Sequence, residues 1–163
     1  MPAEVEVRAG RPADAGYVQR SLVELMAGSS VVGHGELIDA LALPALVAWR
    51  ADRPVGHLTY RPDAANGWEI VTIGAIPAGA GVGGALMDAV LERARAAGVD
   101  RVWLITTNDN TGALRFYQRR GFDLVRLDRD AVTRARERLK PAIPTHHDGI
   151  EIRHELELEW RPR

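Results

Sequence analysis

The chain predicts an α/β (α+β) domain with a mixed, mostly antiparallel central sheet of about seven strands flanked by helices. Three observations carry that expectation. Segments with period-two alternation are interleaved with segments of helical period, in the order β-α-α-β-β-β-α-β-α-β-α-β. Three of the strands follow one another across short turns, the pattern of an antiparallel meander. The helical segments each need a sheet face to cover, which gives a layered structure. Across 163 residues there is no internal repeat, low-complexity tract or linker, so residues 1–163 read as one domain. A chain of this length buries roughly 70% of its unfolded surface and needs no staple.

Taken in order, Glu4–Arg8 alternates acidic and apolar residues and reads as a first strand. Pro12 sits where a first helical turn tolerates it, and Ala15, Val18, Leu22, Leu25 and Met26 then fall on one helix face. Gly28-Ser29-Ser30 ends that helix. A shorter helix is predicted over Glu36–Leu41, stopped by Pro44. Ala45–Trp49 and Val55–Tyr60 are strands around the turn at 51–54, and Gly67–Ile73 completes the meander. The next helix runs over Ala85–Ala97, with Gly98 as its stop. Arg101–Thr106 is an apolar strand. Asn108-Asp109-Asn110-Thr111 leads into a helix ending at Arg120 and Gly121, and Phe122–Leu127 is again a strand. Asp128–Leu139 is a charged helix ended by Pro141 and Pro144. Its arginines (Arg129, Arg134, Arg136, Arg138) are interleaved with acids, as on a solvated face. Thr145–Gly149 is a polar loop, and Ile150–Trp160 alternates over the final strand. The helix and loop at about 128–149 form an insertion longer than the last strand connection requires.

Composition narrows the function. Lys+Arg number 21 and Asp+Glu 22, for a net charge of −1, so nothing marks a nucleic-acid or membrane partner. The absence of cysteine excludes disulfides, thiolate metal sites and cysteine nucleophiles. No apolar run approaches the ~18 residues needed to span a bilayer. The N-terminus, Met-Pro-Ala-Glu-Val-Glu-Val, lacks the regions of a signal peptide, and a cytoplasmic protein is expected.

The most informative segment is Ala78-Gly79-Ala80-Gly81-Val82-Gly83-Gly84-Ala85, a glycine-dense loop between a strand and a helix. Its amides approach a ligand without side chains in the way, and the helix N-terminus behind them favours an anion. Gly79-Ala80-Gly81-Val82-Gly83-Gly84 also satisfies the pattern of a dinucleotide fold. An NAD(P)-linked oxidoreductase would, however, place this loop after the first strand of a parallel sheet. It would also end the next strand on a ribose-binding acid about 20 residues on. Here the loop follows the meander, and Asp100 precedes the next strand instead.

A second segment favours another pyrophosphate. Asn110-Thr111-Gly112-Ala113-Leu114-Arg115-Phe116-Tyr117-Gln118-Arg119-Arg120-Gly121-Phe122 resembles the N-x-x-A-x-x-F-Y-x-x-x-G-F segment of the GNAT N-acetyltransferases. The glycine loop resembles that family's coenzyme A loop, with Gly81 and Gly83 at its two small positions. The two motifs lie about 27 residues apart, in the right order, with a strand between. The element order from Glu4 to Trp160 is also GNAT-like. One departure is Ala78, which stands where the family usually carries Arg or Gln and cannot reach a phosphate.

The resemblance implies an enzyme that transfers acetyl from acetyl-CoA to a primary amine by direct attack, with coenzyme A as co-substrate and no metal. It implies that the strand before the loop splays at about Ile73-Gly74-Ala75, where backbone amides hold the pantetheine arm and the Ile73 amide polarises the thioester. A glycine late in a strand fits a bulge or close approach, and Gly74 fits simple strand termination too. Residues 79–85 (Gly79, Ala80, Gly81, Val82, Gly83, Gly84, Ala85) would hold the pyrophosphate. Tyr117 matches the tyrosine that protonates the departing thiolate; it also sits on the apolar face of its helix with Ala113 and Leu114. Asn110 suits a helix N-cap, with a pantetheine contact as its family role. Glu69, two steps of alternation before Ile73, is expected on the same face, as a base acting through water or as a solvated carboxylate.

His34, His57, His146, His147 and His154 show no metal-ligand spacing, and His146-His147-Asp148 reads as a solvated loop. The resemblance implies a small-molecule or peptide amine as acceptor, and no side chain identifies which one from the sequence alone. The insertion carrying that loop is the candidate for setting its specificity. A homodimer through the last strand is open, with Glu151, Arg153, Glu155, Glu157 and Glu159 on one side as an edge or as a guard against pairing. A non-catalytic acyl-CoA-binding or regulatory module is the alternative function.

Overall fold

A computed structural model describes residues 4–76 and 78–163; Met1–Ala3, part of the N-terminal segment read above, lie outside them. The elements are β1 (Val5–Ala9), α1 (Ala15–Met26), β2 (Ser30–Gly33), β3 (Glu36–Asp39), β4 (Ala45–Arg50), β5 (Arg53–Pro62), β6 (Gly67–Ala75) and α2 (Val82–Ala97). They continue as β7 (Arg101–Thr107), α3 (Thr111–Arg119), β8 (Asp123–Asp128), α4 (Ala131–Arg138), β9 (His146–His147), β10 (Ile150–Glu151) and β11 (Glu155–Trp160). Seven strands form one mixed sheet in the order β1-β4-β5-β6-β7-β11-β8, in which only β6 and β7 run parallel.

The two faces carry different chemistry. On one, α2 and α3 cover the main core: Leu58, Ile70, Val102, Leu104 and Leu158 from the sheet meet Leu86, Met87 and Val90 of α2 and Tyr117 of α3. On the other, α1 packs Val18 and Leu22 over Val47 of β4, and α4 lies beyond it. This second face is polar near its middle, where a buried chain runs from Ser21 through His57 and Thr72 to Thr59.

Four readings of the sequence are corrected. Residues 36–41 are not a helix: β2 and β3 form a hairpin, and only Ala40–Ala42 makes a single 3-10 turn. His34 and Gly35 both have positive φ (52° and 71°), the two-residue turn that matches strand twist. The last strand is shorter than its alternation, because Ile150–Glu151 turns back onto His146–His147 and Asn108 binds the chain at 151–154. β11 is also no edge; it lies between β7 and β8, so the dimer route through it is closed and the free edges are β1 and β8. The insertion is tied down as well. Arg136, expected on a solvated face, donates to the carbonyls of Ile143, Pro144 and Ile152.

The parallel pair is what opens the sheet. β6 and β7 pair only from Gly67–Arg101 to Ile70–Leu104. Beyond that, Val71–Ala75 and Ile105–Thr107 lean on different neighbours, β5 and β11. The parting coincides with a bulge: Thr72 faces Thr59 and Ile70 faces Tyr60, leaving Val71 as an extra residue in β6.

Candidate active site

The bulge sets the direction of every group on the upper arm of β6. Ile76 N–H donates to Val55 O at 3.0 Å, so the antiparallel ladder with β5 engages Gly74 and Thr72. The amides of Ile73 and Ala75, one residue out of phase, point away from β5 into the opening. Gly74 is a close approach: a Cβ there would run into Leu25 Cδ1 and lie 3.3 Å from His57 Cε1. It therefore does more than end a strand; it seats β6 against α1.

The same bulge breaks the expected alternation. Ile73 packs toward α2, whereas Glu69 points to the α1 face. Glu69 is only 4% exposed and bonded to Arg61 Nε at 2.7 Å, while Arg61 forks onto Glu36 of β3 at 2.9 and 3.1 Å. These two carboxylates raise the Arg61 pKa, and Arg61 draws that of Glu36 below the usual carboxylate range. Glu69 lies at the closed end of the strand pair, opposite Trp103, and away from Ile73.

Above the arm, Gly79, Ala80 and Gly81 adopt three successive left-handed conformations (φ 89°, 58° and 78°). Among the described residues nothing lies within 4 Å of a Cβ at Gly79 or Gly81, and the positive φ at each is what calls for glycine. α2 begins at Val82, three residues earlier than its periodicity predicts, with Gly81 as an N-cap that has no side-chain bond. Gly83 and Gly84 are consequently in the first helical turn, where their N–H groups have no intrahelical acceptor. The Ala85 amide is not free; it donates to Gly81 O at 3.0 Å. Gly56 lets this helix end settle on β5, since a Cβ there would strike Val82 Cγ1.

Sequence reasoning passed over the cations around the loop. Arg50 donates to Ala80 O at 3.2 Å and holds the loop's turn. Arg120 lies across Gly84, pairs with Asp88 and stacks on Phe116 at 5.1 Å. With Arg115 and Arg119 it lines a cavity of about 650 Å³ between α2 and α3. The i, i+4 spacing of Arg115 and Arg119 was a readable sign of one basic helix face.

Tyr117 is largely buried against Phe116 and Phe122, and this desolvation pushes its hydroxyl up to about 12. Its ring belongs to the core, as its apolar helix face predicts. Asn110 caps α3, its Oδ1 accepting from Ala113 N at 3.2 Å. No group of three or more potential metal-ligating side chains occurs among the described residues, and His147 instead stands 3.3 Å from Asp109.

A mixed sheet prised open between its two parallel strands, with a left-handed glycine loop and bare helix N-terminus at the opening, is the fold of the acyl-CoA acetyltransferases. The chain matches the Acetyltransferase (GNAT) family over residues 23–122, and it belongs to that family. Two relatives from Bacillus subtilis (strain 168) are similar in sequence: the uncharacterized proteins YdhI, 42% identical over 103 residues, and YxbD, 43% identical over 107 residues. Those matches cover 63% and 64% of this chain, and the chain spans only 63% and 65% of the two relatives' lengths. Among solved structures, an IAA acetyltransferase from Bacillus cereus ATCC 14579 superposes with a TM-score of 0.76 at 19% identity, covering 98% of this chain and 100% of that one. A Bacillus subtilis acetyltransferase in complex with CoA gives 0.72 at 18% identity, covering 98% and 100%. No helix among the described residues is long and apolar enough to cross a membrane.

Proposed function

We propose that this chain is an acetyl-CoA-dependent N-acetyltransferase acting in the cytoplasm on a primary amine, with residues 1–163 as its catalytic domain. The observation that carries the reading is the outward aim of the Ile73 and Ala75 amides along the opened arm of β6, directly below the α2 N-terminus. The co-substrate fits these residues. Unpartnered strand amides suit a pantetheine arm, and the open loop at 79–81 with the amides of Gly83 and Gly84 suits a pyrophosphate. The cations Arg50 and Arg120 supply charge that Ala78 lacks. The neighbour bound to CoA, and another from Elizabethkingia anophelis with acetyl-CoA bound, support the same co-substrate.

Acetyl-CoA brings an activated acyl group, and the protein's work is placement. Ile73 N–H would donate to the thioester oxygen as it gains charge, with Gly74 keeping the strand close enough to α1 to hold that aim. Asn110 fixes the start of α3 and thereby the height of Tyr117. With a pKa near 12, Tyr117 stays a hydrogen-bond donor throughout the neutral range. A buried phenol held so far above the ordinary range of a thiol gives up its proton reluctantly, so it stabilises the departing sulfur chiefly by hydrogen bonding. Glu69, locked to Arg61, serves as an anchor for the β2–β3 hairpin rather than as the base.

Thermal shift with acetyl-CoA, free coenzyme A and NAD tests this directly. Stabilisation by the two coenzyme A species and not by NAD is expected; no response to either would overturn the reading. Release of free thiol in the presence of amines then separates an enzyme from a binding module.

A further inference from the structure

The α1 face holds a cavity of about 460 Å³ that the coenzyme A site leaves unused. Its walls are mainly apolar and come from three elements: Leu25 and Met26 of α1, Val31 and Val32 of β2, Val132 and Ala135 of α4, with Ile143 and Pro144 closing the insertion over them. Its floor is the opened sheet, represented by Thr107 and Glu155. Leu25 connects this cavity to the thioester strand, because it is the side chain packed on Gly74. Thr107 stands three residues past the last β6–β7 pair on its arm, as Ile73 does on the other. Glu155 is paired beside Thr107, so its place on β11 is level with the opening, and its side chain helps line the cavity.

Three glutamates of β11 face this side, and their commitments differ. Glu159 bonds Arg101 at 2.9 Å, and Glu157 lies 3.3 Å from His34 Nε2 and 3.9 Å from Arg101. Among the described residues, Glu155 has no cationic side chain within salt-bridge distance and accepts only the His34 amide, at 3.3 Å. It is 5% exposed, and burial pushes its carboxyl above the usual range. The cavity's lysine, Lys140, is spent on structure: its ammonium donates to the carbonyls of Met26 and Ser30.

We propose that this cavity is the acceptor pocket, that its occupant is a primary amine on a compact apolar body, of the arylalkylamine class, and that Glu155 binds the amine and takes its proton. An enclosed carboxylate with one hydrogen bond needs a cationic partner, and a protonated amine supplies it. The volume equals about fifteen waters of liquid, enough for a ring on a short chain, and the side chains around it are mainly apolar, with Glu24 as a second carboxylate at the exposed rim. The proposal rests on the acetyl-CoA reading above. In the transfer the bound ammonium loses one proton to solvent by way of Glu155, so that the amine attacks as its free base. The freed nitrogen lone pair forms the C–N bond at the thioester carbonyl carbon, and the C–S electron pair leaves on sulfur. The second proton lost from nitrogen passes to solvent, and the thiolate leaves hydrogen-bonded to Tyr117.

Thiol release with saturating acetyl-CoA, compared for 2-phenylethylamine, spermidine and glycine, tests the substrate class. We expect kcat/KM for 2-phenylethylamine to exceed the other two by at least about 100-fold. Glu155→Gln should lower kcat about 100-fold, leaving the acetyl-CoA thermal shift unchanged, and should weaken calorimetric binding of 2-phenylethylamine about tenfold. Ala142→Phe, at the exposed mouth, should cut the preference for 2-phenylethylamine over methylamine about tenfold. Preference for spermidine or glycine, a Glu155→Gln rate within threefold of wild type, or no binding of 2-phenylethylamine would each overturn the proposal. If acetyl-CoA shifts the melting point and none of the amines is acetylated, the acceptor assignment fails and the coenzyme A reading stands. If acetyl-CoA produces no shift, the underlying reading fails first.

Discussion

Glu69 and Glu155 are buried carboxylates on the same face of the same sheet, one at the closed end of the β6–β7 pair and one at the open end. At the closed end the charged and polar side chains bond one another. Glu69 holds Arg61, Arg101 holds Glu159, and Asp63 accepts from the Trp103 indole at 2.7 Å. At the open end the Ile73 and Ala75 amides, the Tyr117 hydroxyl and Glu155 are left with few or no protein partners. The lesson is that burial and charge do not mark a reactive group; an unmet valence does. A saturated network rigidifies, and an unsaturated one is free to bind.

The largest expected effect bears on what keeps the open arm in place. His57 is fully buried and neutral, its pKa depressed to about 4, and it links Ser21 of α1 to Thr72 beside the bulge. Between pH 6.5 and 4 the unfolded chain binds a proton that the native chain does not, so stability falls as pH is lowered through that window. The loss approaches about 3 kcal/mol and is restored above pH 6.5. Urea midpoints across that range should therefore slope more steeply in wild type than in His57→Gln. Parallel slopes would mean that His57 is not held neutral in the native chain across that window.

Next in size is the open end's donor. Tyr117→Phe keeps the ring that Phe116 and Phe122 pack against and removes only the hydroxyl. We expect kcat to drop roughly 100-fold, about 2.7 kcal/mol of barrier, with an unchanged melting temperature. Since the phenol titrates near 12, no loss of rate below pH 10 should trace to it. A stability loss without a rate loss would make Tyr117 a core residue and nothing more.

The closed end predicts the reverse pattern. Glu69→Gln removes one partner of a buried pair but leaves Arg61 its bidentate hold on Glu36. A destabilisation of about 1–2 kcal/mol is expected, below the 3–5 typical when a buried ion is orphaned outright. The transfer rate should stay within twofold of wild type. A rate fall comparable to that of Glu155→Gln would erase the distinction between the two carboxylates.

How far this contrast was legible in the sequence differs by residue. The meander, the glycine loop and the Asn110 cap follow from local chemistry and are where the sequence puts them. The β2–β3 hairpin was readable from His34-Gly35 between Val31-Val32 and Leu37-Ile38, but six residues of helical period outweighed it. The bulge at Val71 leaves no local mark, because the Thr59–Thr72 contact across strands sets it; without it, Glu69 reads as facing the same way as Ile73. Glu155 is one of three glutamates in strict alternation, and only the partners taken by Glu157 and Glu159 single it out.

The smallest expected effect concerns Ala78, an exposed residue at the head of the loop. At this position the open end is short of one partner on the protein's own side. The bare N-terminus of α2, Arg50 on Ala80 and Arg120 over Gly84 already place positive potential there. A further cation in such a field adds only a fraction of its free charge–charge attraction, because exposed charges are screened within about 10 Å at 0.1 M salt. Ala78→Arg should therefore tighten acetyl-CoA binding by about 0.3–1 kcal/mol, a two- to fivefold gain that shrinks as salt rises. The rate at saturation should not move, since the guanidinium would touch phosphate and not the reacting carbon. Calorimetry at low and high salt measures it. A tenfold or greater gain would mean that Arg50 and Arg120 do not face the pyrophosphate, and that the loop had been holding it by backbone alone.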